Sequence, residues 1–167
     1  RGKAVAANSV AEATGMIAAD KAYVIPQASQ AEYIEQVLDI CRREQIGLLC
    51  SLHDWEGPFL AKNLARFEAL GVAAVVSSPR VMDICLDKAA TVAFCGAQAI
   101  RTPRTWTSVA DVAAASRAGQ ARYPLMIKPR CGQGSIELHA ADNEGELSVL
   151  CDLVEKRLAR YASNGLL

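Results

Sequence analysis

The sequence is poor in the groups that usually announce a metal or redox centre. It has two histidines, His53 and His139, and its six cysteines never fall at CxxC spacing. Zinc sites and thioredoxin-like motifs are therefore poorly supported. Cysteines such as Cys50 and Cys85 sit inside apolar runs. The set reads as reduced core residues of a cytosolic protein. An excess of charge is also lacking, since 18 Lys+Arg balance 18 Asp+Glu. A neutral chain without blocks of like charge lacks the electrostatic footprint of a nucleic-acid binder, so a small-molecule substrate fits better. No apolar run reaches the roughly 18 residues of a membrane span. No signal-peptide pattern is seen either. The expectation is a cytoplasmic protein with neither nucleic-acid nor membrane partners. Two familiar nucleotide motifs are missing too. There is no GxxxxGK[ST], and Gly132-Gln-Gly134-Ser-Ile-Glu137 lacks the third glycine of GxGxxG.

What is present is an apolar half, 51% of 167 residues, enough for one ordinary domain or two small ones. The first half alternates short apolar runs with amphipathic stretches. Strands are expected at Ala4–Ala7, Ala22–Ile25, Gly47–Leu52 and Val72–Val76. Helices are expected at Val10–Ala19, Ala31–Glu44 and Pro58–Leu70, the last ended by Gly71. This rhythm predicts crossovers and a parallel sheet, and the uniformly apolar strands predict that both its faces are covered. The character changes near Ser77-Ser-Pro79. Helices are expected at Arg80–Cys85, Asp87–Gly96 and Ser108–Arg117, and short strands at Pro103–Thr107, Leu125–Lys128 and Ser135–His139. The last two strands, joined by a glycine-bearing turn, predict an antiparallel hairpin. Asn143 and Glu146 have capping-box spacing ahead of a final helix. The chain starts without Met, reads almost at once as a strand, and fades out after a helix. Both ends are expected to continue in a longer protein.

The hairpin carries the candidate chemistry. Lys128 closes an apolar strand, where its side chain is expected to be held, and the loop beyond offers Arg130, Gly132, Gly134 and Ser135. Glycines let backbone N–H groups approach an anion, a serine hydroxyl adds a donor, and a lysine adds a point charge. Judged locally, a plain hairpin loop with a solvated Lys and Arg explains these residues equally well.

The order of parts is more specific. Asp87-Lys88 opens a helix, Ala97-Gln-Ala-Ile-Arg-Thr-Pro103 makes a turn, and a strand–helix unit follows. Then come Pro124-Leu-Met-Ile-Lys128-Pro-Arg130 and Gly132-Gln-Gly-Ser135. This series resembles the ATP-grasp ligases, especially those similar to the carbamoyl-phosphate synthase large subunit. The glycine usual in the turn is displaced to Gly96. The resemblance spans nearly the whole chain. It implies a Rossmann-like, mostly parallel pre-ATP-grasp domain over residues 1–80, then the first, small α+β subdomain of an ATP-grasp domain over 81–167. The family's first strand would precede residue 1.

By the same resemblance, Lys88 and Lys128 reach the nucleotide phosphates, with Lys128 also near the adenine, while Gly132, Gly134 and Ser135 form a lid over them. The implied cofactors are ATP and Mg²⁺, the implied substrates a small-molecule carboxylate and an amine. The metal ligands and the adenine-reading hinge are expected outside this chain, so no catalytic or metal residue is assigned. Many relatives are dimers, which adds a homodimer to the expected partners. The alternative for Lys88 is an exposed helix-start residue paired with a neighbour. For the chain as a whole, the alternatives are a non-catalytic nucleotide- or effector-binding module and a nicotinamide-dependent dehydrogenase.

A second cluster, Ser51-Leu-His53-Asp54-Trp55-Glu56, follows an expected buried strand. Loops at the carboxyl ends of parallel strands are where such sheets bind ligands. Asp54 and Glu56 are therefore candidates for contact with a substrate amine. Ordinary service at the N-terminus of the next helix is the competing reading. His53 and His139 read as surface or hydrogen-bonded side chains.

Overall fold

The computed structural model describes residues 2–163. The chain is mixed α/β and divides into two compact units, Arg1–Met82 and Asp83–Leu167.

In the first unit, β1 (Val5–Asn8) and β2 (Lys21–Val24) pair in parallel across α1 (Thr14–Ala18). A second parallel pair, β3 (Leu48–Cys50) and β4 (Ala73–Val75), brackets α3 (Gly57–Lys62) and α4 (Leu64–Glu68). Between the pairs lies α2 (Tyr33–Arg43). Its Ile34, Val37, Leu38 and Cys41 recur at helical spacing and are all buried. Phe67, Leu60 and Val72 complete the same apolar cluster, the first with no exposed surface. Parallel pairing therefore holds, but as two two-stranded sheets. Coverage of both faces does not hold. Val24, Leu48 and Val75 each keep about 60% of their surface, because alternate residues of a strand face opposite ways and only one face meets the cluster.

Pro58–Leu70 is not one helix. It splits at Asn63, whose backbone (φ −113°, ψ 13°) leaves the helical region while its side-chain amide donates to the Phe59 carbonyl. Asparagine competes with the helix in this way. Gly71 follows α4 at φ +74°, the left-handed stop expected of it.

α5 (Pro79–Leu86) carries the chain across the boundary into the second unit. There follow α6 (Lys88–Ala97), α7 (Val109–Arg117), β5 (Leu125–Ile127), β6 (His139–Ala141) and α8 (Glu144–Ser163). β5 and β6 form the antiparallel hairpin, with Ile127 opposite His139. Leu147, Leu150, Cys151, Val154 and Leu158 of α8 pack with Val112, Ile127 and Ala141 in a second core. Asp87 caps α6 and Ser108 caps α7 through their side-chain oxygens. Asn143 Oδ1 accepts from the Glu146 N–H, while Glu146 reaches back to the Asp142 N–H.

Two expected strands differ. Pro103–Thr107 is irregular, since the segment has no ladder partner among the described residues. β6 starts at His139, and Ser135–Leu138 is a tight turn. Positive φ at Ser135 (59°) and Glu137 (53°) excludes extended backbone there. The cysteines are unpaired, but only Cys41 is buried; Cys50, Cys85 and Cys131 are exposed. An apolar run around a cysteine did not guarantee a core position.

Candidate functional site

The connection between β5 and β6 folds back onto the start of α6. Arg130 binds the Asp87 carboxylate through both its Nε, at 3.1 Å, and its Nη2. Asp87 also accepts from the Ala89 N–H at 2.9 Å, so one carboxylate caps the helix and holds the loop. The Arg130 guanidinium, and then the helix N–H groups, keep its carboxyl below the usual aspartate range. Lys88 completes the junction. Its backbone N–H donates to the Arg130 carbonyl at 2.9 Å, and its half-buried ammonium donates to the Gly132 carbonyl at 3.0 Å.

Gly132 and Gly134 have φ of 130° and 64°. The first value suits glycine alone. A Cβ at Gly132 would meet only Pro129, at an ordinary 3.9 Å, so the requirement there is conformational. Gly134 and Ser135 are exposed. Lys128 lies just past β5 and is exposed. No described residue hydrogen-bonds or ion-pairs with it. The expectation that Lys128 is held is thus corrected: β5 ends one residue earlier, which frees the side chain to solvent. The structure joins Lys88 to the glycine loop. It places Lys128 at the loop's entry and Ser135 on its far side.

This arrangement presents positive charge and backbone N–H donors. Arg130 neutralises Asp87, leaving Lys88 and Lys128 uncompensated beside glycine N–H groups. Such a surface suits phosphate oxygens. It does not suit a metal. Among the described residues no three His, Cys, Asp or Glu side chains come close enough to hold an ion.

The second predicted cluster lies in the first unit, at the carboxyl ends of β3 and β4. Ser51, His53, Asp54, Ser77 and Met82 line an open pocket of about 600 Å³. Asp54 faces it and is exposed. Glu56 is committed elsewhere. It accepts from the Ser51 hydroxyl and lies against Tyr33, whose phenol is pushed up by burial and by the Glu56 charge. The two carboxylates are therefore not equivalent. Gly57 lies under the Met82 methyl, which an added Cβ would have to displace.

Residues 1–75 match the PylC-like N-terminal domain family. The biotin carboxylase domain of Hydrogenobacter thermophilus 2-oxoglutarate carboxylase aligns over 98% of this chain and 42% of its own, with TM-score 0.63 at 17% identity. The chain has that fold. A Rhizobium etli pyruvate carboxylase aligns over 87% of this chain and 14% of its own, with TM-score 0.60 at 16% identity. The chain thus spans less than half the length of either structure. No curated protein matches it. The Hydrogenobacter structure is a dimer holding MgADP, ADP and bicarbonate.

Sequence reading missed two parts of the loop's support. The Asp87–Arg130 pair joins residues 43 apart, and nothing local signals it. Glu137, Arg157 and Tyr161 also meet only in the folded chain. The sole hint was Glu137 itself, a charge between Ile136 and Leu138.

Proposed function

We propose that this chain carries the phosphate-gripping side of an ATP-dependent ligase resembling carbamoyl-phosphate synthase. The ligase would activate a carboxylate as an acyl phosphate for attack by an amine. The carrying observation is the Lys88 ammonium bound into a loop whose Gly132 and Gly134 adopt positive φ. Lys88 and Lys128 neutralise the phosphates, and the loop's N–H groups with the Ser135 hydroxyl hold them in place. The γ-phosphoryl group passes to a carboxylate oxygen with release of ADP. The amine then attacks the acyl carbon, and phosphate leaves. Positioning and charge neutralisation dominate such transfers. Mg²⁺ would supply further charge neutralisation at the phosphates, with its protein ligands outside this chain. The MgADP and bicarbonate in the Hydrogenobacter structure support this reading. Its dimer supports a homodimer here, and the six free cysteines a cytoplasmic protein. The units 1–82 and 83–167 would be the pre-ATP-grasp domain and the first ATP-grasp subdomain.

Calorimetric titration with ADP tests the proposal. Weak but saturable binding is expected, and Lys88→Ala and Lys128→Ala should each weaken it about tenfold, the worth of one charge-assisted hydrogen bond. In the whole protein, Lys128→Ala should abolish ATP-dependent phosphate release. Unchanged release would remove Lys128 from the assignment, and no ADP binding by any form would remove the nucleotide.

A further inference from the structure

Glu137 is buried, with its side chain 5% exposed. Its neighbours Ile136 and Leu138 are 50% and 38% exposed. Hydropathy would place these three the other way round. Glu137 also holds φ at 53°, a left-handed conformation that is strained for a non-glycine residue. A buried carboxylate on strained backbone persists only where its surroundings over-determine it.

Those surroundings are specific. The His139 Nε2 of β6 lies 2.9 Å from one carboxylate oxygen. From α8, the Tyr161 hydroxyl donates at 2.9 Å to the other oxygen, and Arg157 Nη1 approaches both at 3.2 and 3.4 Å. Both oxygens are satisfied, by groups from β6 and from α8. Glu137 lies two residues after Ser135, where the glycine loop rejoins β6. The other end of the loop is held by Asp87 and Lys88.

We propose that Glu137 is a positioning residue: it fastens the far end of the glycine loop to α8, so that Gly132–Ser135 stay outside the hairpin as an open phosphate grip. The proposal rests on reading that loop as the phosphate-binding element. Without the carboxylate, the far end loses its ties to His139 and to α8, and the N–H groups from Gly132 to Ser135 lose part of their fixed direction. Phosphate would then have to order them on binding, which lowers affinity.

Hydrogen–deuterium exchange on the chain without nucleotide tests the anchor. In Glu137→Gln, which keeps the shape and removes the charge, the amides of Ile136 and Leu138, which donate to Gln133 and Ser135 within the turn, should exchange about tenfold faster. Those of Val112, Ala113 and Ile127, in α7 and β5, should keep wild-type rates. Tyr161→Phe removes one hydrogen bond from the helix side and should give a smaller change in the same amides, which guards against a Gln variant that fails to fold. Unchanged exchange in both variants overturns the proposal. So does uniformly faster exchange across α7 and β5, because that is general destabilisation. ADP titration of wild type and Glu137→Gln is read separately: a wild type that does not bind ADP defeats the phosphate reading and leaves the anchor result standing. With wild-type binding intact, Glu137→Gln should weaken it about tenfold.

Discussion

Carboxylates in this chain divide by what holds them. Glu44, at the end of α2, takes Lys3 at 2.7 Å, Lys21 at 2.5 Å and the Tyr23 hydroxyl. It ties the β1–β2 pair to the helix. The Lys21 ammonium, then Lys3 and Tyr23, hold its carboxyl down to about 2 from the ordinary 4.5. A carboxyl depressed in the folded state gives stability that is complete above its ordinary value and lost as pH falls through the folded one. The wild-type melting temperature should therefore fall between pH 4.5 and about 2 more steeply than that of Glu44→Gln, with the two curves converging at the acid end. Parallel curves over that interval would contradict the assignment. Asp54 and Glu56 make the opposite contrast. Asp54 faces a pocket, and Glu56 is bound by Ser51 beside Tyr33. If the pocket takes the amine of the proposed reaction, Asp54→Asn in the whole protein should raise the KM for that amine about tenfold. Glu56→Gln should instead lower thermal stability and leave that KM in place. Steady-state kinetics with both variants separates the roles.

At the scale of elements, local chemistry was legible and long-range chemistry was not. Caps at Asp87, Ser108 and Asn143 act through side-chain oxygens on N–H groups two or three residues away, so spacing reveals them. The α2 stripe was legible for the same reason. Pro103–Thr107 and the expected strand at Ser135 failed because a strand needs a partner, and β-propensity does not supply one. At Ser135–Leu138 the turn takes precedence because Glu137 finds His139, Arg157 and Tyr161. Only folding brings those together. The glycine loop was visible in sequence, but its two fastenings were not. Asn143→Ala should cost about 1 kcal/mol, as for other helix caps. Urea unfolding should show this as a lower midpoint with an unchanged slope. No change would mean that Glu146, bonded to the Asp142 N–H, caps the helix alone.

At the scale of the whole molecule, two apolar clusters organise the chain. One gathers α2, Leu60, Phe67 and Val72; the other gathers Val112, Ile127, Ala141 and α8. Each has its own parallel or antiparallel strand pairs and its own candidate site residues. Phe67 is the most deeply buried large side chain of the first cluster, with 0% exposure. Phe67→Ala should cost about 3–5 kcal/mol through lost burial and the cavity left behind. That is a large share of the roughly 5–15 kcal/mol available to an ordinary domain. If the clusters are separate cooperative units, the loss falls on the first alone. Amide protection of Val37, Leu38 and Leu60 should drop by orders of magnitude, while that of Val112, Ile127 and Val154 persists. ADP titration sharpens the point, because the proposed phosphate grip belongs to the second unit: the variant should still bind ADP with wild-type affinity. Loss of protection in both clusters together would show one cooperative unit and would place the stability of the grip under the control of the first core.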